Sequence, residues 1–304
     1  MAMAESPVVM KKAVRIVVPP VMPNTGAAMN RVAAAPLRPA PAPAPAQTVP
    51  AAPRRVPVAP IAPANRDNGQ KENVVEIQSV SKIYGQYENK VYALNGVSVK
   101  IAKGQFVAIL GPSGSGKSTM LHMMGCLDRP SSGKILINGR DMATVSGAEV
   151  ATFRGKNMGF VFQSYNIIPR LTVMENVMLP GIIAGVNRSE LESRANELLK
   201  ETGILHRADH KGVHLSGGEQ QRVAIARAFI NNPTIIFADE PTGALDTKSS
   251  DEIMGILKKM NIQHGVTIVI ITHNPKQATD YVRRIIRIKD GQVVGDEINV
   301  PKAG

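Results

Sequence analysis

The sequence predicts an α/β fold with a mostly parallel sheet, and three stretches predict it. Phe106-Val-Ala-Ile-Leu110 is a short apolar run that empties into Gly111-Pro-Ser-Gly-Ser-Gly-Lys-Ser-Thr119, the spacing G-x-x-x-x-G-K-[ST] of a phosphate-binding loop between a strand and a helix. Residues 234–238 and 266–271 are continuous apolar runs of the kind a parallel sheet buries on both faces. A helical pattern over residues 247–261 separates them, which makes a βαβ unit.

The 304 residues are 43% hydrophobic, enough for a full-sized core, but the composition is uneven. Of the 22 prolines, 14 fall in residues 1–66, together with eight Lys or Arg against the single acid Glu5. Residues 1–70 therefore read as a disordered, Pro/Ala-rich basic tail, and residues 71–304 as the folded domain. Because residues 1–66 carry +7 of the formal +12, the basic total does not argue that the folded part binds nucleic acid, and none is expected as a partner. The tail itself is a candidate for contact with anionic lipid. Lys11 and Lys12 ahead of an apolar stretch resemble a signal peptide only faintly, since Arg15 and Pro19-Pro20 break its centre. The single cysteine, Cys126, excludes an intramolecular disulfide and reads as a small packing residue at a helix end. No apolar run approaches the length of a spanning helix, so a membrane role would need another chain to cross the bilayer.

Along the folded part, residues 74–80 read as a strand, and residues 97–101 with 106–110 as a second strand pair. In the loop that follows, Gly111, Gly114 and Gly116 let successive backbone N–H groups turn inward around a polyphosphate, while Pro112, Ser113 and Ser115 complete the curve. The helix expected from about Gly116 aims unpaired N–H groups and its positive end at the same anion. Lys117 supplies a point charge for the β and γ phosphates, Ser118 a hydroxyl for Mg²⁺, and Thr119 closes the motif. Strands are expected at 134–138 and 158–163, followed by a small helical lobe over 172–203 that opens a capping box at Ser189 and Glu192. Met174 and Met178, four apart there, are either core or the lining of a groove for a partner's helix. His206, His210 and His214 also repeat every four residues, but Gly212 argues against one long helix and a metal stripe. Residues 285–296 read as a terminal hairpin turning at Asp290-Gly291.

Chemistry concentrates at strand ends. Ile235-Ile-Phe-Ala-Asp-Glu240 finishes an apolar run with two carboxylates, where Asp239 is placed to hold Mg²⁺ and Glu240 to take a proton from water attacking the γ phosphate. His273 ends the run beginning at Thr267, and Gln163 ends the run beginning at Met158. Leu215-Ser-Gly-Gly-Glu-Gln opens a second helix whose start offers N–H groups and a hydroxyl to an anion. One chain with one phosphate loop and a second anion-binding helix start invites a partner's nucleotide.

At these residues the sequence resembles the ABC-type ATPases, over nearly all of residues 73–304. Leu215-Ser-Gly-Gly-Glu-Gln resembles their signature motif, residues 111–119 the Walker A loop, residues 235–240 the Walker B strand, Ala244-Leu-Asp246 the D-loop, Gln163 the Q-loop and His273 the H-loop. Tyr84 sits where the family places an aromatic on adenine, with Tyr87 a competitor. The resemblance implies the P-loop NTPase core with an antiparallel β subdomain and a small helical subdomain over about 164–215. It implies ATP and Mg²⁺ as cofactors, with Lys117, Gln163, Glu240 and His273 catalytic, and Ser118, Gln163 and Asp239 at the metal. It also implies a head-to-tail dimer in which Ser216, Gly217 and Gly218 act on the partner's ATP.

Gln163 to Ser216 spans 53 residues, too short for the long coiled coil of chromosome-maintenance ATPases, and a single cassette argues against the tandem translation-factor class. Residues 164–177 and Asp239-Glu-Pro-Thr-Gly-Ala-Leu-Asp246 resemble the branch with macrolide exporters, lipoprotein-release ATPases and a related cell-division ATPase. Val213-His214 departs from the proline usual before the signature in that branch. The expected function is hydrolysis of ATP to power a separate transmembrane permease subunit in export or extrusion, from a peripheral position on the cytoplasmic face of the plasma membrane. The alternatives are a non-transport ATPase acting on a cell-division membrane partner, or one acting on nucleic acid.

Overall fold

The structure is a computed structural model that describes residues 72–85 and 89–302. The basic tail expected over 1–70, and Tyr87, lie outside the described residues. Two sheets organise the rest. One, in the order β2-β1-β4-β5, is antiparallel and built from β1 (Asn73–Tyr84), β2 (Val91–Ala102), β4 (Ser132–Ile137) and β5 (Arg140–Asp141). The other has the order β10-β9-β3-β8-β7-β6. It contains β3 (Phe106–Leu110), β6 (Met158–Phe162), β7 (Ile235–Asp239), β8 (Thr267–Thr272), β9 (Arg284–Lys289) and β10 (Gln292–Ile298). All of its strands run parallel except β10, which returns antiparallel to β9.

The continuous apolar runs follow from burial on both faces. Val107, Ile109, Ile235, Phe237, Val269 and Ile271 point toward the antiparallel sheet and α1 (Lys117–Met124), while Ala108, Ile236, Ala238, Ile268 and Ile270 join the helical side. On that side lie α3 (Val173–Ile183), α4 (Arg188–Glu201), α5 (Gly217–Phe229) and α6 (Thr247–His264). Buried side chains of Val, Leu and Ile each contribute roughly 1.5–3 kcal/mol relative to exposure, so this two-sided packing makes the central sheet the rigid part of the molecule.

Several expectations change in the structure. The strand expected at 97–101 is the end of the much longer β2, and it pairs with β1 rather than with β3. Gly104, at φ +74°, turns the chain from one sheet into the other, and its N–H bonds to Thr267 Oγ1. The helical lobe begins with a capping box at Thr172 and Glu175, and α4 is capped by Asn187, not by Ser189. Glu192 is taken by Arg188 instead, at 2.8 Å. Met178 is buried in the core and the half-buried Met174 packs against it, which is the core reading of this pair. His206 and His214 lie on two separate 3₁₀ turns, Leu205–Arg207 and Gly212–His214, so the four-residue repeat makes no helical stripe. Two helices were not legible from periodicity. The first, α2 (Gly147–Asn157), buries no residue and starts from a Ser146–Glu149 capping box; the second, α7 (Pro275–Tyr281), is a short one started by Asn274 and Pro275. Cys126 is half-buried at the end of α1, where burial pushes its thiol up to about 11. Among the described residues, no helix is long and apolar enough to cross a membrane.

Candidate functional site

The parallel register decides where the chemistry meets. Leu110 pairs with Thr272, Asp239 with Ile271, and Phe162 with Asp239. Gly111, His273, Glu240 and Gln163 therefore emerge side by side at the carboxyl ends of β3, β8, β7 and β6, the edge at which open α/β sheets bind ligands.

The loop between β3 and α1 is a cradle that only glycine can build. Gly114 and Gly116 have φ of +77° and +100°, and a Cβ on Gly116 would stand 2.3 Å from the Ala93 carbonyl oxygen. Gly116 caps α1 without a side chain and no acid lies in the first turn, which leaves the helix N–H groups to an anion. Ser115 Oγ is buried with no hydrogen-bond partner. Lys117, only 7% exposed, donates Nζ to the Pro112 carbonyl at 2.7 Å. This is a cationic, donor-rich hollow with an unsatisfied hydroxyl, and it fits a polyphosphate. A cavity of about 480 Å³ opens over it, lined by Ser113, Gly114, Gly116, Lys117, Ser118, Thr119 and Glu240 on the loop side.

Ser118 Oγ approaches Asp239 Oδ1 at 3.5 Å, which pairs a hydroxyl and a carboxylate as hard oxygen donors suited to Mg²⁺. Burial pushes the Asp239 carboxyl above its ordinary range, with the neighbouring Glu240 charge adding to it, against the pull of His122, Ser118 and Lys117. Glu240 holds a left-handed backbone, φ +45°, with its N–H on the Ile271 carbonyl at 3.0 Å. Its Oε1 lies 3.2 Å from His273 Nδ1. Gln163 lies against the turn after Glu240, so close that a Cβ on Gly243 would come within 2.7 Å of its Nε2.

Ser216, Gly217 and Gly218 do not line this cavity. Ser216 caps α5, donating its hydroxyl to Glu219 Oε2 at 2.8 Å, and the Ser216 backbone N–H is the main cause holding the Glu219 carboxyl below its usual range. Tyr84 does not line the cavity either. Its hydroxyl donates to Asp128 at 3.1 Å and the Lys82 ammonium stands 5.0 Å from its ring centroid.

The cavity is lined as well by Val91, Tyr92 and Ala93 with Asp290 and Gly291, none of which the motifs point to. The Gly291 N–H donates to the Ser115 carbonyl at 3.0 Å, and its own carbonyl accepts from Asn95 N–H at 2.9 Å. Asp290-Gly291 is legible as a hairpin turn, with φ of +50° and +73°. That it braces the phosphate loop is not legible, because it lies about 180 residues downstream.

Comparison with known proteins gives the family. Residues 94–243 match the family model described as ABC transporter. The lipoprotein-releasing system ATP-binding protein LolD of Geobacter metallireducens is 48% identical over 224 residues, covering 74% of this chain and 99% of that one. The macrolide export ATP-binding/permease protein MacB of Marinobacter nauticus is 49% identical over 223 residues, but the chain spans only 34% of its length. Among solved structures, a dimeric post-hydrolysis state of the ATP-binding cassette MJ0796 bound to ADP and Pi is 45% identical, with a TM-score of 0.68 over 76% of this chain and 99% of that one.

Proposed function

Because the chain belongs to the ABC transporter family, as an ATP-hydrolysing subunit, we propose that its reaction centre is completed only when two copies pair head to tail around ATP. One observation carries this. Ser216, Gly217 and Gly218, at the capped start of α5, do not line the cavity that their own phosphate loop lines. The relative solved with ADP and Pi is itself dimeric, which supports the same reading.

In this reading Lys117 leaves the Pro112 carbonyl for the β and γ phosphates, and the N–H groups at the start of α1 take the remaining charge. Mg²⁺, held by Ser118, Asp239 and Gln163, would neutralise charge on the polyphosphate. Glu240 accepts a proton as the water oxygen bonds to the γ phosphorus and the bond to the β-bridging oxygen breaks, leaving ADP and inorganic phosphate. His273, 3.2 Å from Glu240, orients that carboxylate and the γ phosphate. Ser216, Gly217 and Gly218 of the second copy close over the γ phosphate, and cleavage removes the group that bridged the two. Adenine stacks on the exposed face of Tyr84, with Tyr92 on the cavity wall beside it.

The membrane-spanning partner meets a groove on the free edge of the parallel sheet, where β6 meets α3 and α5. Phe160, Phe162, Ile168, Leu179 and Pro180 line it. Similarity to LolD and MacB supports lipoprotein release or extrusion as the transport class. Such a partner would hold the chain at the inner membrane face, and the basic tail would add contact with anionic lipid. The test of the paired centre is Glu240→Gln: with ATP it should accumulate as a dimer on size exclusion while turnover nearly stops. A monomer that hydrolyses ATP at full rate would defeat the reading.

A further inference from the structure

Two groups outside the reaction centre grip the chain just after Gln163. Arg227, in the last turn of α5, donates Nη1 to the Asn166 carbonyl at 2.6 Å and Nη2 to the Tyr165 carbonyl at 2.8 Å. A planar guanidinium reaching two successive carbonyls fixes orientation as well as distance, which a lysine cannot do. The gripped residues are both left-handed, with φ of +61° at Tyr165 and +51° at Asn166. Such a pair of non-glycine residues persists only where the surroundings over-determine it.

The opposite end of the same helix touches the same segment. The Tyr165 hydroxyl abuts Gly217 so closely that a Cβ there would stand 2.8 Å from it. Farther along, fully buried Asn176 of α3 accepts the Ile168 N–H at 2.8 Å and donates to the Ile168 and Leu171 carbonyls at 3.1 and 3.3 Å. Upstream, Phe162 is paired to Asp239 within the rigid sheet. Only Gln163 and Ser164 stand between the sheet and the clamped segment, and both are exposed. Gln163 therefore cannot shift without either bending those two residues or dragging the start of α5.

We propose that Arg227 and Tyr165 form a positioning clamp that couples Gln163 to the turn Ser216-Gly217-Gly218 of the same chain. This rests on the paired reading above: Gln163 senses this chain's own nucleotide, while the turn presses on the partner's. Occupancy of one site then sets the surface offered to the other, which is a coupling between the two sites carried by one guanidinium fork and one ring.

The experiment compares the full chain with Arg227→Lys, which keeps the charge and loses the fork, and with Tyr165→Leu, which keeps bulk and loses reach to Gly217. ATPase rate is measured against ATP concentration, and binding of a fluorescent ATP analogue is measured separately. The wild-type Hill coefficient should be about 2, falling toward about 1 in both variants. Their kcat should drop about tenfold while analogue affinity changes less than about twofold. Wild-type cooperativity in both variants overturns the clamp, as does a lower rate at an unchanged Hill coefficient, which marks a merely structural role. A non-cooperative wild type whose Glu240→Gln form stays monomeric defeats the paired centre itself, and the clamp with it, so the two failures are told apart.

Discussion

His273 Nδ1 lies 3.2 Å from Glu240 Oε1, joining the residue after β8 to the residue after β7 across the top of the parallel sheet. Strand pairing brings the two near each other: Asp239 lies opposite Ile271, so Glu240 follows β7 one residue before His273 follows β8 on the neighbouring strand. The histidine is largely exposed, so the pair is open to a ligand that needs both.

From that contact, His273→Ala should leave Glu240 without its neighbour and reduce kcat by roughly 10²- to 10³-fold with little change in ATP affinity, the pattern of an interaction made in the transition state. Steady-state kinetics beside a binding titration check it. A fall in affinity equal to the fall in rate would assign His273 to ground-state binding instead.

Lys117→Ala acts at an earlier step. The ammonium sits inside the loop on Pro112, so its loss removes the positive charge from the hollow, and ATP affinity should drop at least about tenfold. Calorimetric titration of the nucleotide measures this directly.

Asp239 carries a pH signature of stability. Its folded pKa is raised, so the folded state binds the proton more tightly than the unfolded chain does. The ionised carboxylate therefore costs stability as pH rises through that raised value, and the cost is absent at pH below the unfolded value. Asp239→Asn should melt at a higher temperature than wild type at pH 7, with the difference shrinking as pH falls through the carboxylate range. Hydrolysis should be lost at every pH. Equal melting curves at pH 7 would contradict the assigned burial cost.

Gly291→Ala tests the hairpin brace. At φ +73° a side chain costs about 1–2 kcal/mol, and this Cβ would also stand 3.0 Å from the Ala93 carbonyl oxygen. Because Gly291 N–H holds the Ser115 carbonyl, ATP affinity should fall several-fold along with stability. Full affinity in a destabilised variant would show that the loop keeps its shape without the turn.

Local pattern was enough for the parts of this protein whose chemistry is local. The glycines at 111, 114 and 116, the lysine after them, the apolar run into Asp239-Glu240 and the capped start at Ser216 each form a candidate anion or metal contact within a few residues. The paired strands β7 and β8 with α6 between them were legible for the same reason, since burial on both faces leaves an unbroken apolar run. Helices without that pressure were not, as with α2, which has no fully buried residue and only packs Val150 and Phe153 against the core.

The amino-acid order alone thus determined the fold class and the inventory of candidate site groups, because motif, strand and helix start are each set by neighbours in the chain. Only the tertiary structure decided which groups share a cavity. Parallel register brought Glu240 near His273, the distant Gly291 turn came to rest on Ser115, and Ser216 was left outside the cavity of its own phosphate loop. Those placements arise from packing an antiparallel sheet on one face of the central sheet and a helical layer on the other, a long-range balance of buried surface and satisfied backbone groups that no short window of sequence contains.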